Sequence, residues 1–509
     1  MKKPIAFLIS LLFVLGFAHS FGQTVDDYKQ LDKYIEKYAG EFNMPGFAIG
    51  LVKNGEVVFE HAYGYKNTET KDKVDENTLF GIASCSKAFT AACISILVDR
   101  GQLHWDDKVV DVLPGFKLSD PEITANITVE DILAHRSGFE TFDGDLIWYG
   151  TQRSAEEVVR RIRYREMPYG LREKFGYSNL MFITAGEVIK SVTGIPWTEF
   201  VKENILDKID MDLSTTSNKG FGNNEDAAWP HIDGKPMDFI NYDNISSAGA
   251  INSSVADMMQ WLKLMLGKGV YNGDTIFTKS SYYHLVSPQT LLNGGRAETP
   301  GGTHFAAYGQ GWFLKDYQGM KVIYHGGGLP GFHSKVVLVP EDSLAYVILA
   351  NQLSAMIPAI DKKVLDFFLK EKDTTDWAAK YLKYEKIQKQ QKQSLKEKWE
   401  KLAEQRVKNT KPSLGLEKYA GEYNDKMYGD AKVEFVDNEL YLTLIPTAKL
   451  LNSKLGHWHF DTFKIKFADP FLPPGFVTFS FNSEGEITGF KIDMDAPDFH
   501  FGKLDFVKK

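Results

Sequence analysis

Gly81-Ile82-Ala83-Ser84-Cys85-Ser86-Lys87-Ala88-Phe89-Thr90-Ala91-Ala92-Cys93-Ile94-Ser95-Ile96-Leu97 is the stretch that organises the rest of the chain. Ala88, Phe89, Ala92, Cys93, Ile96 and Leu97 recur with helical period, and Gly101 supplies a stop, so the spacing predicts a buried helix that opens near Ser84. Residues three apart share a helix face, which brings Ser84 Oγ and Lys87 Nζ within hydrogen-bond reach. A lysine at the start of a buried helix loses hydration and lies near the positive end of the helix dipole. Both effects depress its pKa toward that of a general base for the serine. The same helix start aims the Ser84 N–H at the oxyanion of a tetrahedral intermediate. The bland alternative makes Ser84 an N-cap and Lys87 a solvated first-turn residue, and only partners elsewhere in the chain separate the two.

The chain has 509 residues, 43% of them hydrophobic and 25% charged, a globular composition long enough for two or three domains. A net charge of -8 leaves no basic surplus to neutralise phosphates and argues against nucleic acid as a partner. Met1-Lys2-Lys3, an apolar run from Ile5 to Phe17 and small residues around Ala18 to Gly22 have the three parts of a secretory signal peptide, with cleavage expected after Ser20 or Gly22. The run is shorter than the roughly 20 residues of a membrane span, so export to the periplasm or medium is expected rather than anchoring. The two cysteines, Cys85 and Cys93, stand eight positions apart on one predicted helix, about 12 Å along its axis, too far for a disulfide. Cys85 should point about 100° away from Ser84 and is taken as a packing residue.

Residues 47–52 and 57–60 flank Lys53-Asn54-Gly55-Glu56 and read as a β-hairpin. Helical patterns follow to about Leu266, and strand character returns at 321–324, 335–339 and 345–349. An early hairpin and late strands with helices between them fit an α+β layered domain. From about Lys370 to Lys411 the composition turns to Lys, Glu and Gln, read as a charged linker helix that Pro412 ends. Beyond it, alternating aromatic and polar runs spaced by Gly, Asn and Asp turns predict a separate all-β domain. The expected organisation is thus 1–22 signal peptide, 23–370 main domain, 371–412 linker helix and 413–509 β domain. The aromatics of His457-Trp458-His459-Phe460 are assigned to the core of that domain, since a lone His-x-His lacks the ligands zinc needs.

A serine-lysine pair needs a second proton-transfer group and a strand facing the nucleophile. Tyr-x-Asn occurs at Tyr65, Tyr177 and Tyr242. Tyr177-Ser178-Asn179 is favoured because it sits in a loop before a helical pattern, where rigid scaffolds present chemistry. Tyr324-His325-Gly326-Gly327-Gly328 directly follows a strand. There the glycines permit close approach of a substrate, His325 is expected to exchange a proton near neutral pH, and a backbone N–H around Gly328 is a second oxyanion donor.

Ser84-x-x-Lys87, Tyr177-x-Asn179 and His325-Gly326-Gly327, in that order, resemble the motifs of the serine β-lactamase and DD-peptidase superfamily, in particular class C β-lactamases and related esterases and D-aminopeptidases. His135-Arg136-Ser137-Gly138-Phe139 and the segment Ser247 to Met258 resemble two further family segments, and the similarity spans roughly residues 28–370. The resemblance implies a β-lactamase/transpeptidase-like antiparallel sheet flanked by helices, and acyl transfer without metal or cofactor. Ser84 would attack a carbonyl with Lys87 as base and Tyr177 as second proton-transfer group, and water would release the acyl-enzyme. Asn179 would bond the substrate amide or Lys87, with Gly327 and Gly328 on the oxyanion side. The segment after Pro412 resembles a lipocalin-like β-domain, read either as a ligand carrier or as a domain that covers the cleft or mediates oligomers.

One departure bears on substrate. Family β-lactamases carry Lys-Thr-Gly or Lys-Ser-Gly where this chain has His325-Gly326-Gly327, so a permanent positive charge for a substrate carboxylate is absent from the motif. The expected activity is hydrolysis of small amides or esters, first D-amino-acid-containing peptides. A carboxylesterase or weak β-lactamase is the alternative within the fold, and a penicillin-binding or cell-wall-fragment receptor without turnover is the alternative outside it.

Overall fold

A computed structural model describes residues 23–292, 303–370, 374–496 and 498–509. The expected signal peptide, residues 1–22, lies outside the described residues. In chain order the elements that frame the site are α1 (Val25–Glu41), β1 (Gly46–Lys53), β2 (Glu56–Gly64), α2 (Ser86–Asp99), α3 (Asn179–Thr193) and α4 (Val255–Leu266). They continue with β3 (Thr290–Leu291), β4 (Ala306–Tyr308), β5 (Phe313–Tyr317), β6 (Met320–Leu329), β7 (Phe332–Val339), β8 (Leu344–Ala350), α5 (Met356–Leu369) and α6 (Trp377–Gln405).

The eight strands form one sheet in the order β2-β1-β8-β7-β6-β5-β4-β3, with β1 pairing antiparallel to β8, Ile49 opposite Ile348. The early hairpin therefore completes a sheet made late in the chain, as an α+β layering requires. Alternation along the strands sorts their side chains onto two faces. Phe47, Ile49, Leu51, Val337, Tyr346 and Ile348 pack with α1 and α5, while Ala48, Val52, Val336, Leu338 and Val347 join the helical side that contains α2 and α4. Gly50 marks the closest approach of α4, since a Cβ there would lie 2.6 Å from Met259 Sδ.

Two strand readings change. β6 does not end before the glycines but runs through His325-Gly326-Gly327-Gly328 to Leu329, with Gly327 opposite Ser334 on β7. Glycine weakens a strand but does not prevent its ladder bonds, and β7 pairs with the glycines one by one, from Gly326 opposite Lys335 to Gly328 opposite His333. The short strands β3 and β4 have too few residues to show an alternation in sequence.

The charged stretch is a single helix, α6, whose start is tied to the sheet domain: Trp377 Nε1 donates to the buried Asp366 carboxylate at 2.7 Å. Eight antiparallel strands between Gly421 and Lys508 then close into a barrel. Its interior is filled by Tyr419, Tyr423, Phe463, Phe479, Phe490 and Phe506, whose rings meet at 4.7–5.7 Å in pairs such as Phe490–Phe506 and Phe463–Phe479. Eight strands enclose a space that side chains can fill. The barrel centre is thus a packed aromatic core. His457, Trp458 and His459 are half-buried at the margin of that core: the His457 ring meets Phe463 at 5.8 Å, while Trp458 meets Trp399 of α6. Among the described residues, no helix is long and apolar enough to cross a membrane.

The barrel packs against residues 140–165. Tyr149 Oη donates to Asp469 at 2.7 Å, Thr447 Oγ1 donates to the Tyr149 carbonyl at 3.1 Å, and buried Asp143 takes Arg165, Lys503 and His500. Phe479 stands at the centre of the barrel core, 4% exposed, and Phe479→Ala is expected to destabilise the barrel by about 3–5 kcal/mol, measured by denaturant titration against the parent chain.

Candidate active site

Ser84 sits in a single 3₁₀ turn, Ala83–Cys85, which continues directly into α2. The preceding residue, Ala83, has φ +49°, a left-handed conformation that non-glycine residues rarely adopt and that surroundings must hold in place. They do so from three sides. The Ile82 N–H donates to Ile251 O at 2.9 Å, Gly81 pairs with Asn252, and Ser334 Oγ donates to Ile82 O at 2.6 Å. Strand β6 closes the fourth side. A Cβ on Gly327 would lie 2.3 Å from both Ile82 O and Ser334 Oγ, so only glycine lets the strand pass the Ser84 turn. Cys85 faces away, its Sγ 3.2 Å from Ser334 Oγ, in the packing role expected of it.

Lys87 is wholly buried in the first turn of α2. Its Nζ is 3.0 Å from Ser84 Oγ, 2.7 Å from Asn179 Oδ1 and 2.8 Å from Ala248 O. Two of these three partners are carbonyl oxygens that can only accept. A neutral amine therefore gives its two hydrogens to Asn179 and Ala248, and its lone pair is left facing the Ser84 hydroxyl. Burial brings the Lys87 pKa down to about 7, against the opposing pull of the Asp145 carboxylate. The N-cap alternative falls away, because the Ser84 hydroxyl faces this amine.

Tyr177 and Asn179 arrive together because Ser178 caps α3, accepting the Met181 N–H at 3.3 Å. The loop before the cap rests on the segment around His135: His135 Nδ1 accepts the Ser178 N–H at 3.0 Å, and its ring lies 4.2 Å from that of Tyr177. A Cβ on Gly176 would meet Phe139 O at 1.8 Å, which explains the glycine before Tyr177. The Tyr177 ring lies 4.9 Å from Lys87 Nζ. Burial pushes its phenol well above the ordinary value while the nearby Ser84 hydroxyl draws it back, so Tyr177 remains a phenol beside Ser84. Tyr242, the competing Tyr-x-Asn tyrosine, is buried against Trp148 instead.

His325 reaches the same wall, but in a different role from the one expected. Its Nδ1 is 2.7 Å from Gly326 O, a carbonyl, and so carries the hydrogen; Nε2 then accepts from Tyr308 Oη at 3.1 Å. Burial lowers its pKa to about 3. His325 is a neutral ring with both nitrogens engaged, and proton exchange near neutral pH does not fit it. Gly328, one position further along β6, has space before it up to Leu353, whose Cδ2 is 3.4 Å from a Cβ built there. The structure thus brings Ser84, Lys87, Tyr177, Asn179, His325 and Gly327 to one cleft wall, with Gly328 at its rim.

Three participants were invisible in the sequence. The Ala248 carbonyl is a backbone group, hinted at only by the family resemblance of the segment that carries it. Tyr308 lies on β4, too short a strand to stand out. Asp145, buried, accepts the Asn179 Nδ2–H at 2.6 Å and has no motif around it.

Against known proteins, the Beta-lactamase family model matches residues 31–366, and a Domain of unknown function (DUF3471) matches 405–508. The chain belongs to the Beta-lactamase family. It is 30% identical over 336 residues to "Unguisins hydrolase ungD'" of Aspergillus campestris, covering 62% of this chain and 60% of that one. It is 28% identical over 345 residues to "Protein flp" of Staphylococcus aureus, covering 66% of each. The chain thus spans somewhat under two thirds of the length of these relatives. Among solved structures, the octameric penicillin-binding protein homologue from Pyrococcus abyssi superposes with a TM-score of 0.59 at 21% identity, over 95% of this chain and 100% of that one. A penicillin-binding protein from Bacillus halodurans gives 0.54 at 22% identity over 64% of this chain and 98% of that one. These likenesses establish the fold, barrel included in the first case.

Gly327→Ala would force the β6 strand off the Ser84 turn. The expected result is a lowered melting temperature together with loss of Ser84 reactivity toward an acylating probe, compared with Gly326→Ala, where a Cβ meets nothing closer than 3.8 Å.

Proposed function

We propose that this chain is an exported serine hydrolase that cleaves amide or ester bonds through an acyl-enzyme on Ser84. The observation that carries the reading is the hydrogen bonding of Lys87: an amine buried at 3.0 Å from a serine hydroxyl, with its other two contacts taken by carbonyls, is a base aimed at one proton. In the forward step Ser84 Oγ adds to the substrate carbonyl and its proton passes to Lys87 Nζ. The carbonyl oxygen, now an oxyanion, is received by the backbone N–H groups of Ser84 and Gly328. Tyr177, held as a phenol beside Ser84, gives its proton to the leaving amine or alkoxide and recovers one from Lys87. Water then enters, the same groups act in reverse, and the acid is released.

The substrate class follows from charge. The third motif offers a neutral histidine where a cation would bind a terminal carboxylate, so efficient β-lactam hydrolysis is not expected, and small D-amino-acid-containing peptides or related amides are the proposed substrates. The names of the relatives, a hydrolase among them, are compatible with this. The leader-like residues 1–22 support export.

A fluorophosphonate probe should label Ser84 in the parent chain and not in Ser84→Ala, with the adduct located by mass spectrometry; a chain that no acylating probe labels would rule the proposal out. Because the amine must be unprotonated, the labelling rate should rise with pH through a midpoint near 7 and level off above it, and Lys87→Ala should lose at least a hundredfold. Turnover of D-amino-acid p-nitroanilides ahead of p-nitrophenyl esters and nitrocefin would select peptidase over esterase. Stoichiometric labelling without multiple turnover on any of them would favour a receptor.

A further inference from the structure

The amide of Asn179 can sit in either of two orientations, and the chemistry above depends on which. With Oδ1 toward Lys87, the amide takes a hydrogen from the amine and leaves the lone pair for Ser84. With Nδ2 toward Lys87, it would donate into that lone pair and quench the base. The choice is made by Asp145. Burial raises the Asp145 carboxyl to about 7 and the Lys87 ammonium favours its ionised form; that carboxylate accepts the Asn179 Nδ2–H at 2.6 Å and offers no hydrogen that would tolerate the flipped amide. Asp145 is 3% exposed on the turn Asp145–Ile147, and its carboxylate is the largest charge opposing the loss of the Lys87 proton among the described residues.

That turn is gripped by the barrel. Gly144, just before it, lies close to both Leu180 of α3 and Met427 of the barrel, whose nearest atoms are 2.8 and 3.7 Å from a Cβ built there. Tyr149, just after it, bonds Asp469 through its hydroxyl and Thr447 through its carbonyl, and its ring lies 4.5 Å from that of Phe499. Thr447 is itself fixed by the Tyr428 hydroxyl at 3.0 Å, and Arg153 donates to the Tyr428 carbonyl. All of these barrel groups meet one short segment, 144–153, whose other face holds the Asn179 amide.

We propose that Asp145 is the positioning residue of the active site, orienting Asn179 and supplying the counter-charge for Lys87, and that the C-terminal barrel serves as a clamp that keeps the Asp145 segment seated. This rests on the hydrolase reading above for its consequence in catalysis, but not for its geometry. When Lys87 accepts the Ser84 proton, the ammonium formed is balanced through Asn179 by the carboxylate, so no unpaired charge is created in a buried site.

The titratable groups facing Lys87 are Cys85 in the turn before its helix, Tyr177, His135, His325 and Asp145; of these the Asp145 carboxyl is the one that forms an anion near neutral pH, where burial raises it to about 7 against the hydrogen bonds of Trp148 and Asn179 and the pull of Lys87, so that it and Lys87 titrate as a pair. Asp145 in turn faces Lys87, the Trp148 indole and Asp143, the last already paired with Arg165, Lys503 and His500. Removing the Asp145 charge makes the Lys87 ammonium less stable, so its proton leaves at lower pH.

The test uses the full chain. Competitive acetylation by acetic anhydride, read at the Lys87 peptide by mass spectrometry, gives the Lys87 midpoint without requiring turnover, and fluorophosphonate labelling gives the rate at Ser84. In Asp145→Asn the midpoint should fall by about one pH unit, and the plateau labelling rate should drop roughly tenfold to a hundredfold. Tyr149→Phe, which deletes the bond to Asp469, and Thr447→Val, which deletes those to the Tyr149 carbonyl and from Tyr428, should shift both readings in the same direction by less. Misfolding would reduce the labelled fraction while leaving the midpoint of the remainder unchanged, which a merely structural Asp145 also predicts. A parental midpoint in Asp145→Asn overturns the positioning role, and parental midpoint and rate in the combined Tyr149→Phe, Thr447→Val chain overturn the clamp. Failure of the parent chain to label at Ser84 would defeat the hydrolase reading alone, since the Lys87 midpoints still decide the inference.

Discussion

Removing an ammonium group from water costs several kcal/mol unless its surroundings compensate, and Lys87 has been removed from water completely. The site is built around that cost. Asn179 and Ala248 hold the nitrogen by carbonyl oxygens, Ser84 occupies the remaining direction, and aromatic rings of Tyr177 and Phe182 at 4.9 and 5.5 Å close the space around it. A lysine with a pKa near 7 is poorly stabilised as an ion and effective as a base, and both properties arise from the same burial.

Each part of the fold can be understood by what it does for that nitrogen. The sheet domain carries β6 past the Ser84 turn with glycine at position 327, because any side chain there would push Ala83 and Ser84 out of place. The start of α3 delivers Tyr177 and Asn179 as a unit, fixed by the Ser178 cap and by the His135 segment beneath it. His325, which occupies the place of a cation in related β-lactamases, stays neutral because it is buried and both of its nitrogens are bonded. Lys87 therefore has a neutral ring, not a second ammonium, at position 325.

The barrel has a similar logic. Its interior is a packed aromatic core and its contribution lies on the outside, where it covers the segment bearing Asp145. A short turn with its own weak interactions would open readily; pressed between α3 and the barrel, it holds a buried carboxylate at 2.6 Å from the Asn179 amide. Two units that are separate in sequence composition are thus coupled through one polar chain, Asp145 to Asn179 to Lys87 to Ser84.

Much of this was legible in the chain itself. Local rules suffice for Ser84 and Lys87, which share a helix face by spacing, for the early hairpin, for the loop before a helix that presents Tyr177 and Asn179, and for the alternating strands of the barrel, since each depends only on residues a few positions apart. Tertiary structure alone decided the rest. The Ala248 carbonyl, Asp145 and Tyr308 act through contacts with residues 161, 34 and 17 positions away, and no pattern near them marks the event. The charge state of His325 likewise follows from burial and from a partner on another strand. Sequence spacing determines which atoms can meet along one element; which atoms lose their water, and so which groups become base, donor or bystander, is set only when distant elements close around them.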